Sequence, residues 1–460
     1  MKTLVTNTKT LDVGALLDEG RWSIYQKLLV LATAMTIILD GLDNQLLAAA
    51  IPALVKEWHL ARPAFVPVQT AGMFGMMVGG FIGGFVGDRI GRRVALLGSV
   101  IAFGVLTILV AAAGGVGALT ILRFFAGLGL GGAMPNAAAL SSEYVPMRQR
   151  PFAVTLTIVS IPLGGSLAGI VGAQILPQFG WRGLFLVGGL IPLLMAAVLL
   201  KVLPESPRYL ARVPDRWPQL RALLRRLGHP VGEDVVFMDS REKAVARPSV
   251  RELFVPDYRR DTLALCASYF FCLLSVYIGI NWVPALLAGA GFDVGTASYG
   301  LSAFNLGGVA GAILGAIVIM RLGSRSSMLL MTAGSIAGAI VLARMTISPQ
   351  SSFAVLAMLA WTGGLINAVQ TTMYALAAHV YPTAIRATGV GTAVAFGRIG
   401  GVLSPIVGSW ALESGGSPRY FGLIAATMAM TFVALAAIRR HIGGWTKHKA
   451  GVPVPQQVAG

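Results

Sequence analysis

Residues 28–55 read LLVLATAMTIILDGLDNQLLAAAIPALV, and no basic residue interrupts them before Lys56. The run exceeds the about 20 apolar residues that carry a helix across a bilayer. Inside it lie two acids, Asp40 and Asp43, three residues apart. An ionised aspartate at the centre of a membrane helix costs about 2.5–3.5 kcal/mol on insertion scales, so a pair of them calls for a reason. At i and i+3 the two carboxylates share a helix face and influence each other's titration. Taking up and releasing protons is the chemistry open to such a pair.

The rest of the chain extends the membrane reading. Of 460 residues, 55% are apolar and only 12% charged, and the mean hydropathy is +0.74, more apolar surface than a soluble chain can bury. Further apolar runs cover about 68–87, 94–113, 118–142, 152–176 and 183–203 and, after a polar stretch, about 262–288, 297–320, 327–347, 352–379, 384–412 and 419–438. The expected fold is therefore an all-α membrane protein with twelve transmembrane helices in two six-helix bundles. The boundaries expected are a leader at 1–27, a bundle at 28–203, a hydrophilic linker at 204–261, a second bundle at 262–438 and a tail at 439–460.

Charge sets the expected orientation. Residues 201–260 hold 13 Lys/Arg against 8 Asp/Glu, and the turns at 88–93 and 148–150 and both termini are also basic, whereas the opposite loops are poor in Lys/Arg. The positive-inside rule then places both termini and the linker in the cytoplasm. The formal charge of +17 is mostly topological, since its basic residues are scattered among membrane turns rather than gathered into a nucleic-acid surface. No signal-peptide core precedes the first span, so that helix is itself the targeting signal. Cys266 and Cys272, the two cysteines, face different sides of one apolar helix and indicate neither a disulfide nor a metal site.

The two halves are related. Pro52-Ala53-Leu54 and Pro284-Ala285-Leu286 are 232 residues apart, as are Arg89-Ile90-Gly91-Arg92-Arg93 and Arg321-Leu322-Gly323-Ser324-Arg325. Pro146 and Arg150 match Pro382 and Arg386 at an offset of 236, which requires a few inserted residues between. Parallel six-helix repeats around a midplane cavity are the expected architecture, with the substrate path between the halves. At offset 232 Asp40 and Asp43 align with Cys272 and Ser275, and Asp88 with Met320, so the carboxylates belong to the first half.

Gly84-Phe85-Val86-Gly87-Asp88-Arg89-Ile90-Gly91-Arg92-Arg93 resembles the signature loop between the second and third helices of the major facilitator superfamily. Its Asp88, Arg89, Arg92 and Arg93 could latch one conformation shut and be broken in the other; plain positive-inside anchoring is the alternative. Gly127, Gly129, Gly131 and Gly132 nominally satisfy a dinucleotide-binding pattern, but inside a membrane span they are packing surfaces, like Gly79, Gly83 and Gly87. Arg123 matches the superfamily's membrane arginine and is a candidate partner for the first-helix acids, with snorkelling as its alternative. Glu143 ends the fourth span. Arg398, near the middle of the eleventh, needs an anion, either a protein carboxylate or a substrate carboxylate. Arg386 starts the same helix, where snorkelling is easy, and His379 aligns with Glu143 but reads as an interfacial residue. Asn281, Asn305, Asn367, Gln370, Trp361 and Tyr374 could line a pocket for a flat aromatic ligand.

Asp40-Gly41-Leu42-Asp43, Asn281-Trp282-Val283-Pro284 and the leader from Leu11-Asp12 to Asp18-Glu19 together resemble the aromatic acid/proton symporter family over residues about 11–440. That resemblance implies proton-coupled import of an aromatic carboxylate of the hydroxybenzoate or benzoate class across the cell inner membrane by alternating access. It also implies transport roles for Asp40, Asp43, Asp88, Arg123, Glu143, Arg386 and Arg398. We assign Asp40, Asp43, Arg123 and Glu143 to proton coupling, Arg398 with the six pocket residues to substrate, and Asp88, Arg89, Arg92, Arg93 and Arg386 to gating. Partners are then the acid, protons and the bilayer, with no cofactor, metal or nucleic acid and no oligomer required. Pro204-Glu205-Ser206-Pro207-Arg208 resembles a motif shared by sugar porters and organic-acid transporters, so a sugar or other organic-acid symporter is one rival. A drug/proton antiporter is a second, its fifth-helix pattern only approximated by Ile161-Pro162-Leu163-Gly164-Gly165. A transporter-like receptor is a third. An enzyme is disfavoured because five scattered histidines form no ligand cluster and no nucleophile–base pair is evident.

Overall fold

The first long helix begins at a cap. Ser23 Oγ accepts the backbone N–H of Gln26 (3.2 Å) while the Gln26 side-chain oxygen accepts that of Ser23 (2.7 Å), satisfying two amides that a helix start leaves orphaned. The helix runs to Trp58, and His59 turns the chain out of it in the left-handed region. The computed structural model describes residues 10–20, 22–232, 234–239, 249–382 and 384–443. Its helices are α1 (Val13–Glu19), α2 (Ile24–Trp58), α3 (Val66–Ile90), α4 (Arg92–Val110), α5 (Val116–Tyr144), α6 (Arg150–Val202), α7 (Pro207–Ala211), α8 (Trp217–Arg226), α9 (Pro256–Gly289), α10 (Val294–Leu322), α11 (Ser324–Arg344), α12 (Ser352–Val380) and α13 (Arg386–Ala437). Two short strands, β1 (Thr10–Asp12) and β2 (Val236–Met238), pair in parallel.

Among the described residues, ten helices are long and apolar enough to cross a membrane. Two of them, α6 and α13, are 53 and 52 residues long, and each breaks at a glycine: Gly180 at φ 64°, ψ −171° and Gly416 at φ 61°, ψ −154°. That backbone region is essentially closed to any residue with a Cβ. The breaks turn ten helices into the twelve spans that hydropathy predicts.

Backbone contacts divide the chain into two units, Met1–Leu60 with Pro67–Arg247, and Ala61–Val66 with Pro248–Gly460. Inside each, the same helix pairs meet at the same glycines. In the first unit α6 lies on α2 where Gly164 abuts the Ile38 carbonyl, and α3 lies on α5 where Gly75 and Gly79 abut the carbonyls of Phe124 and Leu128. In the second, Gly400 of α13 abuts the Phe270 carbonyl of α9, and Gly307 and Gly311 of α10 abut those of Ala360 and Gly364 of α12. Small residues admit this backbone-to-backbone approach in a medium that offers helices no hydrophobic drive to associate. Residues of α2, α3, α9 and α10 correspond at an offset of 232, those of α5, α6, α12 and α13 at 236.

Turn geometry repeats as well. The left-handed positions His59 and Gly291, and Gly91 and Gly323, are 232 apart, and Gly180 and Gly416 are 236 apart. The inserted residues lie between the third and fourth spans of the second unit. There α11 has 21 residues against 19 in α4, and the connection to the next helix is 345–351 against 111–115.

The leader and linker have a fold of their own. With β1 paired to β2, helices α1, α7 and α8 enclose an apolar cluster of Val13, Leu17, Leu210, Leu220, Leu224 and Phe237. Hydropathy marks these segments as merely connecting. Their amphipathic signal is Leu220, Leu223, Leu224 and Leu227, a helical stripe that finds its complement in the leader, which is far away in sequence.

In the second unit Asp293 caps α10, and the hydrogen bonds from Thr296 hold its carboxyl below the usual carboxylate value. Behind α13 the chain is pinned to the start of α11. Ser324 N–H donates to the Ile442 carbonyl (2.9 Å), Ile442 N–H donates to Ser324 Oγ (2.8 Å), and His441 Nδ1 lies 3.1 Å from the same oxygen. Burial and the nearby Arg325 push the His441 imidazole below its ordinary value.

Two outcomes follow from this packing. Gly164→Leu and Gly400→Leu should each lower stability by about 1–3 kcal/mol or more, because the obstructing atoms are backbone. Gly98→Ala, in open space on α4, should be neutral or slightly stabilising; thermal unfolding in detergent reads all three. Since the His441 value is lowered on folding, its contribution is complete above the unfolded value and fades as pH falls through the folded one. The midpoint advantage of the parent over His441→Asn should therefore shrink between pH 7.5 and pH 5, to be measured as paired melting curves (pH values chosen about the ordinary histidine pKa).

Candidate functional site

Gly41 separates the two acids of α2, and its position explains the Asp-Gly-x-Asp string. A Cβ there would run into the Ile161 backbone of α6, so the helix can approach α6 only with glycine between the aspartates. Both acids are buried, Asp40 at 7% exposure and Asp43 at 0%. Thr107 of α4 donates to Asp43 Oδ1 (2.5 Å), and Arg123 Nη1 of α5 donates to Asp43 Oδ2 (3.3 Å), with Nη2 reaching the Asp43 carbonyl (3.4 Å). Arg123 is itself 3% exposed. Three helices thus converge on one carboxylate. A buried pair of this kind offsets the desolvation of both charges only while both are present. Thr107 is the member that sequence reading missed, since a lone threonine in an apolar span carries no signal of its own.

Glu143 does not join this group. It lies 20 residues beyond Arg123 on α5, about 30 Å along the helix axis. There it accepts a hydrogen bond from Ser206 Oγ and stands 3.9 Å from Arg92 Nε. The proton-coupling set read from sequence is therefore split, and Glu143 belongs with the loop that the sequence assigns to gating. In that loop Arg92 pairs with Asp88, Arg89 stacks over the Phe85 ring (4.1 Å), and Tyr209 donates to the Arg89 carbonyl (3.2 Å). Arg93 N–H donates to Glu205 (2.9 Å) and the Arg93 guanidinium to the Leu200 carbonyl (2.6 Å). Glu205 and Ser206 come from the Pro204–Arg208 string, noted in sequence only as a family mark. Here they clasp the 88–93 turn to the end of α5.

In the second unit Arg398 and Tyr374 come together: the two are close enough to interact electrostatically, and Tyr374 packs edge-on against Tyr269 of α9 at 5.6 Å. Tyr269, fully buried, is an addition that sequence reading did not make. Asn281 donates to Ser404 (3.0 Å) and ties α9 to α13. The remaining pocket candidates lie on α10 and α12. Asn305 donates to Leu301 within its own helix (2.9 Å), and Asn367 donates to Gly363 (2.8 Å) while packing against Gly308 in the α10–α12 seam. Gln370 is half-buried. Trp361, 57% exposed, lies over Gly334 and Gly338 of α11 and donates to the Gly334 carbonyl (3.3 Å). Thirteen residues before Tyr374, at about 100° per residue, it projects from a nearly opposite face of α12. The Asn367 and Trp361 contacts serve helix packing, which a list of polar residues in apolar spans does not distinguish from ligand binding. Arg386 is exposed at the start of α13 and its Nε donates to the Tyr381 carbonyl (3.4 Å). Among the described residues no group of His, Cys, Asp and Glu could hold a metal ion.

Comparison with known proteins gives the class. The description of the Major Facilitator Superfamily matches residues 33–362 and 265–455, and the chain belongs to that superfamily of membrane transporters. Over 428 residues it is 32% identical to the gallate transporter of Pseudomonas putida, covering 93% of this chain and 95% of that protein. It is 35% identical to the 4-hydroxybenzoate transporter PcaK of the same organism (87% and 89% covered) and 30% identical to the benzoate transport protein of Acinetobacter baylyi (92% and 91%). Among solved structures, the inward-open xylose transporter XylE of Escherichia coli superposes with a TM-score of 0.71 at 17% identity, over 90% of this chain and 97% of that one, a likeness of fold.

If Asp43 and Arg123 are one energetic unit, removing either leaves an uncompensated buried charge. Arg123→Met alone should cost about 3–5 kcal/mol. Adding Asp43→Asn to it should recover a substantial part of that loss, as read in a double-mutant cycle of detergent unfolding. Strictly additive losses would show that the contact is not coupled.

Proposed function

We propose that this protein is a proton-coupled importer of an aromatic carboxylate of the hydroxybenzoate or benzoate class, working by alternating access in the inner membrane. The observation that carries the reading is the buried Asp43–Arg123–Thr107 contact in a chain whose full-length relatives are named as gallate, 4-hydroxybenzoate and benzoate transporters. Both termini and the linker face the cytoplasm, in keeping with the basic residues on that side. The unit acts as a monomer.

Asp43 accepts hydrogen bonds from Arg123 and Thr107 in this conformation. A proton arriving at Asp43, or at Asp40 one turn earlier, removes one charge of the pair and releases the hold of α5 on α2; its departure restores the hold. That is a two-state element biased by protonation. Arg398, beside the Tyr269–Tyr374 pair, supplies the permanent cation for the substrate carboxylate, and the tyrosine rings supply edge and face contacts for an aromatic ring. One proton carried with a monoanion makes the step electroneutral.

Uptake of radiolabelled benzoates, hydroxybenzoates, gallate and phenylpropionates into proteoliposomes, acid outside, tests the reading directly. The parent should accumulate one or more of these acids, and Asp40→Asn and Asp43→Asn should each abolish gradient-driven accumulation. Accumulation by both variants would sink the proton assignment. Arg398→Ala should raise KM by about tenfold or more, the loss of a charge-assisted contact, with the pH dependence retained. An unchanged KM removes Arg398 from the substrate site.

A further inference from the structure

We propose that Asp18, in the leader, is a positioning residue that couples the start of α6 to the Pro204–Arg208 clasp, so that the aspartate-bearing helix and the linker latch change state together. The proposal rests on the transport reading above. Asp18 accepts a hydrogen bond from the Arg150 guanidinium and another from Arg208 (3.1 Å), and its side chain is 9% exposed. Arg208 also reaches Asp239 (3.4 Å), a side chain only 2% exposed at the end of β2, and Arg150 Nε donates to the Ser142 carbonyl at the end of α5 (3.1 Å). Asp18 and its two arginines therefore join α1, α5, α6, α7 and the strand pair. Ion pairs so withdrawn from water are costly to leave half-made.

What lies on either side of this hub turns it from an anchor into a coupling device. Arg150 is the first residue of α6, and Ile161, eleven residues further on and about 16 Å along the axis, is the residue whose backbone receives Gly41 between Asp40 and Asp43. Gly164 then rests on the α2 backbone at Ile38. Contacts made of backbone do not yield, so a shift at the start of α6 is delivered to α2. On the other side, Arg208 follows Glu205 and Ser206, which hold Arg93 and Glu143. Asp18 is thus connected to the proton-bearing helix through Arg150 and to the 88–93 turn through Arg208. The repeat sharpens the contrast: Arg386, equivalent to Arg150 at offset 236, is exposed and turns to the Tyr381 carbonyl. The leader is added to the half that carries the aspartates.

The test is uptake by the full-length protein in proteoliposomes, for the parent, Asp18→Asn, Arg150→Gln, the double variant and Asp18→Glu, each normalised to folded protein. Asp18→Asn should lower the maximal rate about tenfold, a gating defect, with KM within about twofold of the parent. The double variant should be no slower than either single one, because the two residues act as a unit. Asp18→Glu should recover part of the rate. A normal rate for Asp18→Asn, a loss accompanied by a proportional rise in KM, or additive losses in the double variant would each overturn the proposal. Should Asp18→Asn not fold, Arg150→Gln decides: a lowered maximal rate at the parent's KM and melting midpoint supports the coupling and an unchanged rate refutes it. A parent without uptake of any acid overturns the transport reading, and this proposal with it; an active parent with an unaffected Asp18→Asn overturns this proposal alone.

Discussion

Everything in both units depends on helices touching backbone to backbone. In a bilayer the lipid is as apolar as any leucine, so helices gain nothing by hiding side chains from it and associate through close packing and hydrogen bonds instead. Gly164 on Ile38, and its counterpart Gly400 on Phe270, set the distance between the first and fifth helices of each unit. Gly75, Gly79, Gly307 and Gly311 do the same for the second and fourth. The two offsets in the sequence, 232 and 236, are the record of these seams, since contacting glycines and carbonyls keep their correspondence while the third span and the connection after it lengthen.

On this frame the first unit adds charge where the second does not. Cys272 and Ser275 stand where Asp40 and Asp43 stand, and they meet neutral partners on neighbouring helices: Cys272 Sγ lies 3.9 Å from the Ile366 carbonyl and Ser275 is 2.7 Å from Thr427. The fold therefore tolerates uncharged residues at these places, and the carboxylates are an addition that the arginine of α5 and the threonine of α4 make affordable. The same asymmetry appears at the helix ends. Asp88, Glu143 and Glu205 organise the turn after α3, while Met320 replaces the acid in the second unit and Ser324, His441 and Ile442 make the corresponding join through neutral hydrogen bonds.

The site was legible in part. Arg123 was readable as a partner for the first-helix acids from its match to the superfamily's membrane arginine, while only the structure pairs it with Asp43. Glu143 was grouped with them on the family resemblance, and it lies at the far end of α5, where it ends the fourth span as the sequence reading had it. Trp361, Asn305 and Asn367 were read as pocket residues, but polar and aromatic groups in an apolar span are also what seals helix seams. Only the rotation of each helix about its axis separates the two uses.

Composition, span lengths and internal periodicity determined the membrane class, the number of spans, the repeat and the presence of a charged centre in the first half. These follow from transfer energies that depend on residue type and local spacing alone. The tertiary structure decided which carboxylate meets which cation, that Gly41 is the contact allowing the aspartate helix to approach α6, and that leader and linker fold together around Asp18. Those outcomes rest on contacts between residues from 80 to 190 positions apart, and their geometry is set by helix rotation and backbone approach, to which one-dimensional patterning is blind.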